Sequence, residues 1–456
     1  MDKWDVIVVG ARCAGAATAA FLARAGVRTL CLERSKLSSD HVLSTHYVQP
    51  PGMDVLDELG VGTRVRELSP PSRRPMAVME MEHIYSNYAD GRAAHCIRRF
   101  VLDPLIQEAA AQSGATLREQ AKVVELVKEG ERVAGVVVET PSGRETLRAD
   151  LVIGADGKDS TVAKLTGVER YEVFTLDRAG YWAYFPAPDI WWDREHYDCD
   201  GIIAFEGDNL RYVFQCDDNL LLLAAVPPAA EARSWGKDHR ERLQHALEAC
   251  ELTAPLARGA QPVGDVIGLL KYESFFRRPI GPGFALVGDA GLTLDFVTGQ
   301  GIAQGLLNAK ALAEAVVAGR DEAYERYWRQ RDADVMPLFL DAKRIGSVGF
   351  NNAFTQLLFR GASKVGDLDS FCAIMDRRHS PFELAPQSSL FRWVLGDVLR
   401  LRFGAVKPFL EMGKTLGEHQ KLCDEYSARA AESAEGWDQL PAWPMDAMGS
   451  LRPRPA

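Results

Sequence analysis

The sequence predicts an α/β fold: a parallel sheet layer, interrupted by a region of antiparallel sheet and followed by helices. Three observations predict it. The stretch "VIVVGARCAGAATAAFLARAGVRTLCLER", residues 6–34, has the pattern of strand, helix and strand. From about Arg178 to Tyr272 the pattern changes to a series of short strands. After Pro337 the chain reads as helical, apolar on one face, to about Ala430.

Val6–Val9 is an unbroken apolar run, as in a parallel strand buried on both faces. A turn and a small-residue helix, about Ala14 to Ala25, follow. A second run, Thr29–Leu32, ends at Glu33. This βαβ unit approximates the Rossmann fingerprint G-x-G-x-x-G, with an acid roughly 20 positions on. Gly10 and Gly15 fill the first and third glycine positions, Glu33 is the acid, and Arg12 stands at the second. A residue with a Cβ fits there only if its φ stays negative and its side chain turns away. The amides at the helix start still face a pyrophosphate. Small residues at 14, 16, 17, 19 and 20 allow close helix packing.

Arg99–Ser113 carries Leu102, Leu105, Ile106 and Ala109 at helical spacing. "HIYSNYADGRAAHCI", residues 83–97, alternates around Asp90-Gly91 and reads as a hairpin. Val133–Glu139 and Thr146–Arg148 flank the turn Pro141-Ser142-Gly143 as two strands of a small antiparallel layer. Leu151–Gly154 then reads as a separate buried strand. "AGYWAYFPA", "GIIAFEG", "LRYVFQC" and "LLLLAAV", with one helix near His239–Cys250, form the antiparallel region. Phe284–Val287 is a short buried strand, and Gly301–Ala318 a long small-residue helix. The Pro-rich end has no period and is expected to be a loose tail or a surface strap.

The 456 residues suffice for two or three domains. A formal charge of −10, without a basic cluster, argues against a nucleic-acid partner. Eight cysteines are scattered at 13, 31, 96, 199, 216, 250, 372 and 423 with no C-x-x-C pair. That distribution suits reduced thiols in a cytoplasmic protein better than disulfides or zinc. No basic n-region precedes the first strand, so no signal peptide is expected, and no apolar run would span a bilayer. "WWDREHYDCD" gathers Asp193, His196, Asp198 and Cys199 but lacks tetrahedral ligand spacing; a solvated acidic loop is expected, and no metal site.

Two later stretches sharpen the ligand. "DLVIGADGKDSTVAKLTG", residues 150–167, and "GFALVGDAGLTLDFVTGQGIAQGLLNAKALAEA", residues 283–315, both run from buried strand through an Asp-containing turn into a helix. Asp289 follows its strand, where a carboxylate can accept a bond from a ribityl hydroxyl. Gly299 and Gly301 open the long helix, whose free amides would stabilise negative charge on a reduced flavin.

With these three motifs in this order, the chain resembles the FAD-dependent monooxygenase superfamily of the p-hydroxybenzoate hydroxylase fold, and within it the subgroup that writes its first motif G-x-R-x-A-G. The resemblance spans residues 1 to about 330. It implies a Rossmann-like FAD-binding domain (1–75, 97–175 and 275–345), an inserted antiparallel-sheet substrate domain (76–96 and 176–274), a C-terminal helical region (346–430) and a tail (431–456). FAD is the implied cofactor, with NADPH or NADH as transient reductant. Gly10, Arg12, Cys13, Ala14 and Gly15 would surround the pyrophosphate. Glu33 would take the adenosine ribose, with Arg34 and the backbone of Val123 beside the adenine. Arg99, in the R-x-x-L pattern, would reach the phosphate or ribityl side. Asp156 and Gly157 would serve FAD and nicotinamide docking, Asp289 the ribityl chain, and Gly299, Gly301 and Ile302 the isoalloxazine. Two departures stand out: Ala163, followed by Lys164, replaces an Arg often found there, and Phe296 replaces the Pro usual near the flavin face.

The reaction implied is hydroxylation or epoxidation through a flavin C4a-hydroperoxide, on an apolar or aromatic small molecule of specialised metabolism. The substrate-side candidates are His46, Trp182, Tyr184 and Phe296; among the strand aromatics, Phe205, Tyr212 and Phe214 join Trp182 and Tyr184 as core or pocket wall. An alternative is a reductase of isoprenoid or alkene double bonds, whose Y-x-W-x-F-P is partly matched by "YWAYFP". A halogenase is a further alternative, against which stand the lack of any Lys between Lys36 and Lys122 and Ala183 in place of the second Trp of W-x-W-x-I-P. A non-enzymatic flavin-binding scaffold is the third class. A flavin reductase or a carrier protein is a candidate partner. The C-terminal helices are compatible with a dimer surface, a lid or packing over the FAD domain.

Overall fold

Trp4–Val9 is the hub of the first sheet. It pairs in parallel with Thr29–Leu32 on one side and with Ala149–Gly154 on the other. The sheet runs Ile280–Gly281, Phe284–Leu286, Gly143–Gly154, Trp4–Val9, Thr29–Leu32, Thr116–Arg118. Val6 and Val8 enter a core shared with the helices Cys13–Arg24, Arg99–Gln112 and Gly301–Ala318. Ile7 and Val9 enter a second core with Val136, Val138 and Val152. Burial on both faces explains why the run is apolar without alternation. The computed structural model describes residues 3–37, 44–319, 321–381, 392–396, 399 and 403–432. The expected tail lies almost wholly outside the described residues.

Three sequence expectations need correction. Thr146–Arg148 and Leu151–Gly154 are one strand, Gly143–Gly154. Its first half pairs antiparallel with Arg132–Thr140, and its second half continues into the parallel sheet. A polar, half-exposed beginning and a buried end look like two strands in sequence.

The stretch 83–97 is not a hairpin. Glu82–Tyr85 pairs with Pro75–Met79, whereas Ala94–Cys96 pairs with Tyr47–Val48 and Pro71–Ser72. Asp90 does take a left-handed turn conformation (φ 56°), but the turn links two different sheets. The local turn chemistry is satisfied without pairing its flanks.

Helix Asp321–Gly346 begins before Pro337 and runs through it. Val335, Met336, Leu338 and Phe339 bury the helix on both sides of the proline, which offsets the missing amide. The helices Ala353–Ala362, Ser370–Met375 and Val406–Ala431 follow.

The second sheet has seven strands, in the order Val263–Leu269, Gly180–Pro186, Leu220–Val226, Asn209–Cys216, Gly201–Glu206, Pro75–Met79, Glu82–Tyr85. All neighbours are antiparallel except Gly201–Glu206 with Pro75–Met79. Alternation along Gly180–Pro186 sorts its aromatics. Tyr181 and Phe185 face a core under helix His239–Glu248. Trp182 and Tyr184 face the other way, into a core with Tyr212, Phe214, Val297 and Met375. This second core lies between the sheet, the 296–299 turn and the C-terminal helices.

Candidate active site

The site begins where the first strand gives way to the first helix. Gly10 has φ 104°, and a Cβ there would stand 2.5 Å from the Ala155 carbonyl oxygen. A Cβ on Gly15 would fall 1.8 Å from the Gly10 oxygen. Both positions therefore require glycine for backbone approach. Position 12 does not: Arg12 is the N-cap of helix Cys13–Arg24 with φ −89° and ψ −171°, extended backbone open to any residue. No side chain caps this helix start, so its first amides are free to meet an anion. Ala14 packs against the third motif, 2.7 Å from where a Gly288 Cβ would be.

The Arg12 guanidinium has no hydrogen bond or ion pair among the described residues. Burial lowers its pKa, and repulsion from Arg99 and Arg34 adds to this, against the pull of Glu33 and Asp103. Arg99 is buried and held in a two-bond ion pair with Asp103 (2.8 and 3.0 Å). Cys13 donates to the same carboxylate at 3.1 Å. Arg99 is thus locked, while the Arg12 guanidinium of the same cluster has no bonded partner among the described residues.

Glu33 is buried, and its two oxygens accept from the amides of Ala11 and Ser35, each at 3.0 Å. Each carboxylate oxygen keeps a lone pair for a further donor. Arg34 is exposed beside it. Ala121 donates its amide to the Glu33 carbonyl at 2.9 Å, which brings the strand carrying Val123 to this end of the cleft.

Asp156 is placed differently. Its carboxylate accepts from Ser160 Oγ and from the amides of Thr161 and Val162, at 2.5, 2.6 and 3.2 Å. Ser160 is the N-cap of the helix Thr161–Thr166, and Asp156, bonded to it and to the first two helix amides, has little capacity left over. Gly157, with φ 79°, forms the adjoining turn. Arg277 reaches back to the Lys158 carbonyl and to the Ala290 carbonyl, which ties the second motif to the third.

Asp289 has no hydrogen-bond partner for its carboxylate among the described residues. It opens onto the cleft, with protein around its other sides. That enclosure raises its pKa above the ordinary carboxylate range, against the attraction of Arg99 and Lys158. Sequence reasoning misses Lys158. Its ammonium sits 5.7 Å from the Tyr272 ring centre and is felt at Asp289. Its place beside the Asp-Gly turn is the signal that could have found it.

Beyond Asp289 the chain makes a short turn, Phe296–Thr298, and Gly299 takes a left-handed conformation (φ 63°) before helix Gly301–Ala318. Gly301 is exposed with open space around it, and Ile302 is half-buried. The start of this helix also has no side-chain cap.

Next to that turn lies a narrow apolar pocket. Tyr212 and Phe214 of the sheet, Phe296 and Val297 of the turn, and Phe371 and Met375 of the C-terminal helices line it. Gln49, in its wall, donates to the Thr298 carbonyl at 3.2 Å and accepts from Tyr88 at 2.7 Å. The Thr298 hydroxyl is buried without a partner. Of the four substrate-side candidates only Phe296 lines this pocket. Trp182 and Tyr184 lie in the core behind it. His46 is also buried behind the wall; its Nδ1 accepts the Arg99 amide at 3.0 Å, and its backbone φ is 57°. The C-terminal contribution, Phe371 and Met375, leaves no trace in the sequence, since nothing local marks a residue as distant wall.

Asp193 and His196 are 2.7 Å apart in the acidic loop, while Cys199 is buried. Among the described residues no group of three or more His, Cys, Asp or Glu could hold a metal ion, and no helix is long and apolar enough to cross a membrane. A carboxylate without a partner, an uncapped helix start with an unpaired guanidinium, and a second uncapped helix start lie on elements that pack against one another. They fit a dinucleotide with a polyhydroxyl chain and an electron-accepting ring.

Residues 3–191 match the family model described as FAD binding domain. The chain is 27% identical over 344 residues to a 6-methylpretetramide 4-monooxygenase of Streptomyces rimosus, covering 71% of this chain and 78% of the relative. It is 25% identical over 351 residues to a digeranylgeranylglycerophospholipid reductase of Methanothermobacter thermautotrophicus, covering 72% and 84%. A p-nitrophenol 4-monooxygenase of Pseudomonas putida, known as a crystal structure, is 18% identical and covers 84% of this chain and all of that one, with a TM-score of 0.68. That last likeness speaks for the fold alone.

Proposed function

We propose, for a chain that belongs to the superfamily of FAD-dependent monooxygenases of the p-hydroxybenzoate hydroxylase fold, that it inserts one atom of dioxygen into an apolar, ring-containing small molecule. The observation that carries this reading is the aromatic pocket opening at the Phe296–Gly299 turn, beside the helix start that would face the cofactor ring. Bound FAD supplies electron transfer and oxygen activation. The chain's residues bind, orient and exclude water.

In this reading the free amides at Cys13–Gly15 and the Arg12 guanidinium hold the pyrophosphate. Glu33 holds the adenosine ribose, with Arg34 and Val123 near the adenine. Asp289 accepts from the ribityl chain. The Gly299–Ile302 helix start places positive potential where charge collects on the reduced ring. Asp156 and Arg99 act at one remove, shaping the turn and the Cys13 cluster. The 1–75, 97–175 and 275–345 segments carry these groups; 76–96 and 176–274 supply Tyr88, Tyr212 and Phe214 to the pocket wall. A nicotinamide, NADPH or NADH, is the reductant.

On the substrate side, Phe296, Tyr212 and Phe214 exclude water, and the unpaired Thr298 hydroxyl offers a hydrogen bond to a substrate oxygen. The Streptomyces relative, named for its action on 6-methylpretetramide, supports a ring-containing substrate. The similar identity to the archaeal reductase keeps alkene saturation as the competing reading. Oxygen uptake separates the two. With NADPH and a ligand that fills the pocket, the monooxygenase consumes about one dioxygen per NADPH and releases little peroxide. A reductase oxidises NADPH without needing dioxygen, and that stoichiometry would overturn the proposal.

A further inference from the structure

Besides the 45–49 segment, the pocket wall has three sources, and they differ in how they are held. The sheet and the turn are bonded to each other. Tyr212 donates to the Val297 carbonyl at 3.3 Å, and Gln49 bridges Tyr88 to the Thr298 carbonyl. The third source is the six-residue helix Ser370–Met375, far beyond the turn in sequence. Its side chains Phe371 and Met375, one helical turn apart, form a strip along the pocket.

This helix is pinned at both ends by polar bonds. At its start, Leu368 donates to the Tyr85 carbonyl at 2.7 Å, Cys372 to Ser86 Oγ at 2.9 Å, and Asn87 to Asp369 at 2.8 Å. At its end, the Met375 carbonyl accepts from Gln300 Nε2 at 3.0 Å, and Asp376 pairs with Arg92 at 2.8 Å. Gln300 is buried and lies between Gly299 and Gly301. The backbone of the strip is therefore fixed between the rim of the seven-stranded sheet and the start of the cofactor-side helix.

We propose that Phe371 and Met375 are specificity-determining residues that set the size of the ring system this pocket admits. The proposal rests on reading the pocket as the substrate site. Phe371 is a stiff plate, whereas Met375 is an adaptable filler. Removing either side chain opens room on one side only and leaves the turn and its bonds unchanged. A hydrophobic pocket discriminates by how closely its walls fit the guest, and truncating one wall side chain alters relative affinity roughly tenfold or more.

The test uses the full-length FAD-loaded protein and two neutral probes, 2-naphthol and the larger 1,8-dihydroxyanthraquinone, with binding followed by the flavin absorbance change. Phe371→Ala and Met375→Ala are expected to shift the ratio of the two dissociation constants by about tenfold toward the larger probe. Met375→Leu, which conserves volume, leaves the ratio as in the parent, and FAD content is unchanged in all three. A parallel loss of both probes, or an unchanged ratio, would show that the strip only supports the fold and would overturn the inference. If the parent carries FAD and turns over NADPH yet neither probe binds, the pocket assignment fails. If the parent carries no FAD, it is the proposed function that fails.

Discussion

Arg12 occupies a position where glycine is usual, and its backbone has no need of glycine: φ is −89°. Its guanidinium lacks a bonded protein partner among the described residues, and the residue opens the first helix, whose first amides have no side-chain cap. A charge-assisted bond to a phosphate or ribose is worth roughly 1.5–3 kcal/mol. Arg12→Ala is therefore expected to weaken FAD binding by about 10- to 150-fold. Arg12→Gly should also bind FAD worse than the parent, although it looks more like the common motif. An FAD dissociation constant for the glycine variant equal to the parent's would show that the side chain points away from the cofactor. Asp289→Ala is expected to lose FAD while keeping the far-ultraviolet circular dichroism of the parent, because its carboxylate bonds to none of the described residues. Full FAD content in that variant would displace Asp289 from the site. Gly10, Gly15 and Asp289 are legible in sequence because their demands are local: a turn, a close backbone approach, a residue just past a strand. The place of Trp182 and Tyr184 is not, because which face of a strand meets the pocket depends on its neighbours.

Among elements, the turn before helix Gly301–Ala318 carries the most exposed consequence of burial. Asp295 is 1% exposed; one oxygen accepts the Val297 amide at 2.9 Å, and the other has no partner. Burial pushes its carboxyl up to about 7, with the Val297 amide and Arg178 opposing and Asp177 adding. The unfolded carboxyl titrates near 3.9. Between these values the folded chain holds more protons than the unfolded one, so this group's contribution is complete below about pH 4 and is lost as pH rises through about 7. Asp295→Asn keeps an acceptor for Val297 and carries no charge. In denaturant melts it is expected to be more stable than the parent at pH 8, by an amount on the order of 2 kcal/mol, with the gap closing toward pH 5. A gap that does not change with pH would show that Asp295 does not titrate in this range. Strands and helices of this kind are legible from period alone. Their pairing is not: Ala94–Cys96 leaves its neighbour for another sheet, and Gly143–Gly154 changes partners halfway.

At the scale of the whole molecule, the parallel layer supplies a cleft with two uncapped helix starts, the seven-stranded sheet supplies an apolar wall, and the C-terminal helices close the space between them. The nucleotide-side motifs fall within the first 315 residues and are readable there, whereas Phe371 and Met375 reach the pocket only through the packing of distant elements. This assembly is proposed to deliver an oxygen atom rather than a pair of hydrogens. The direct test is mass spectrometry of products formed under oxygen-18 gas, with NADPH and a panel of ring-containing and isoprenoid substrates. The expected product carries one oxygen-18 atom from the gas. A product heavier by two hydrogens and free of label would contradict it.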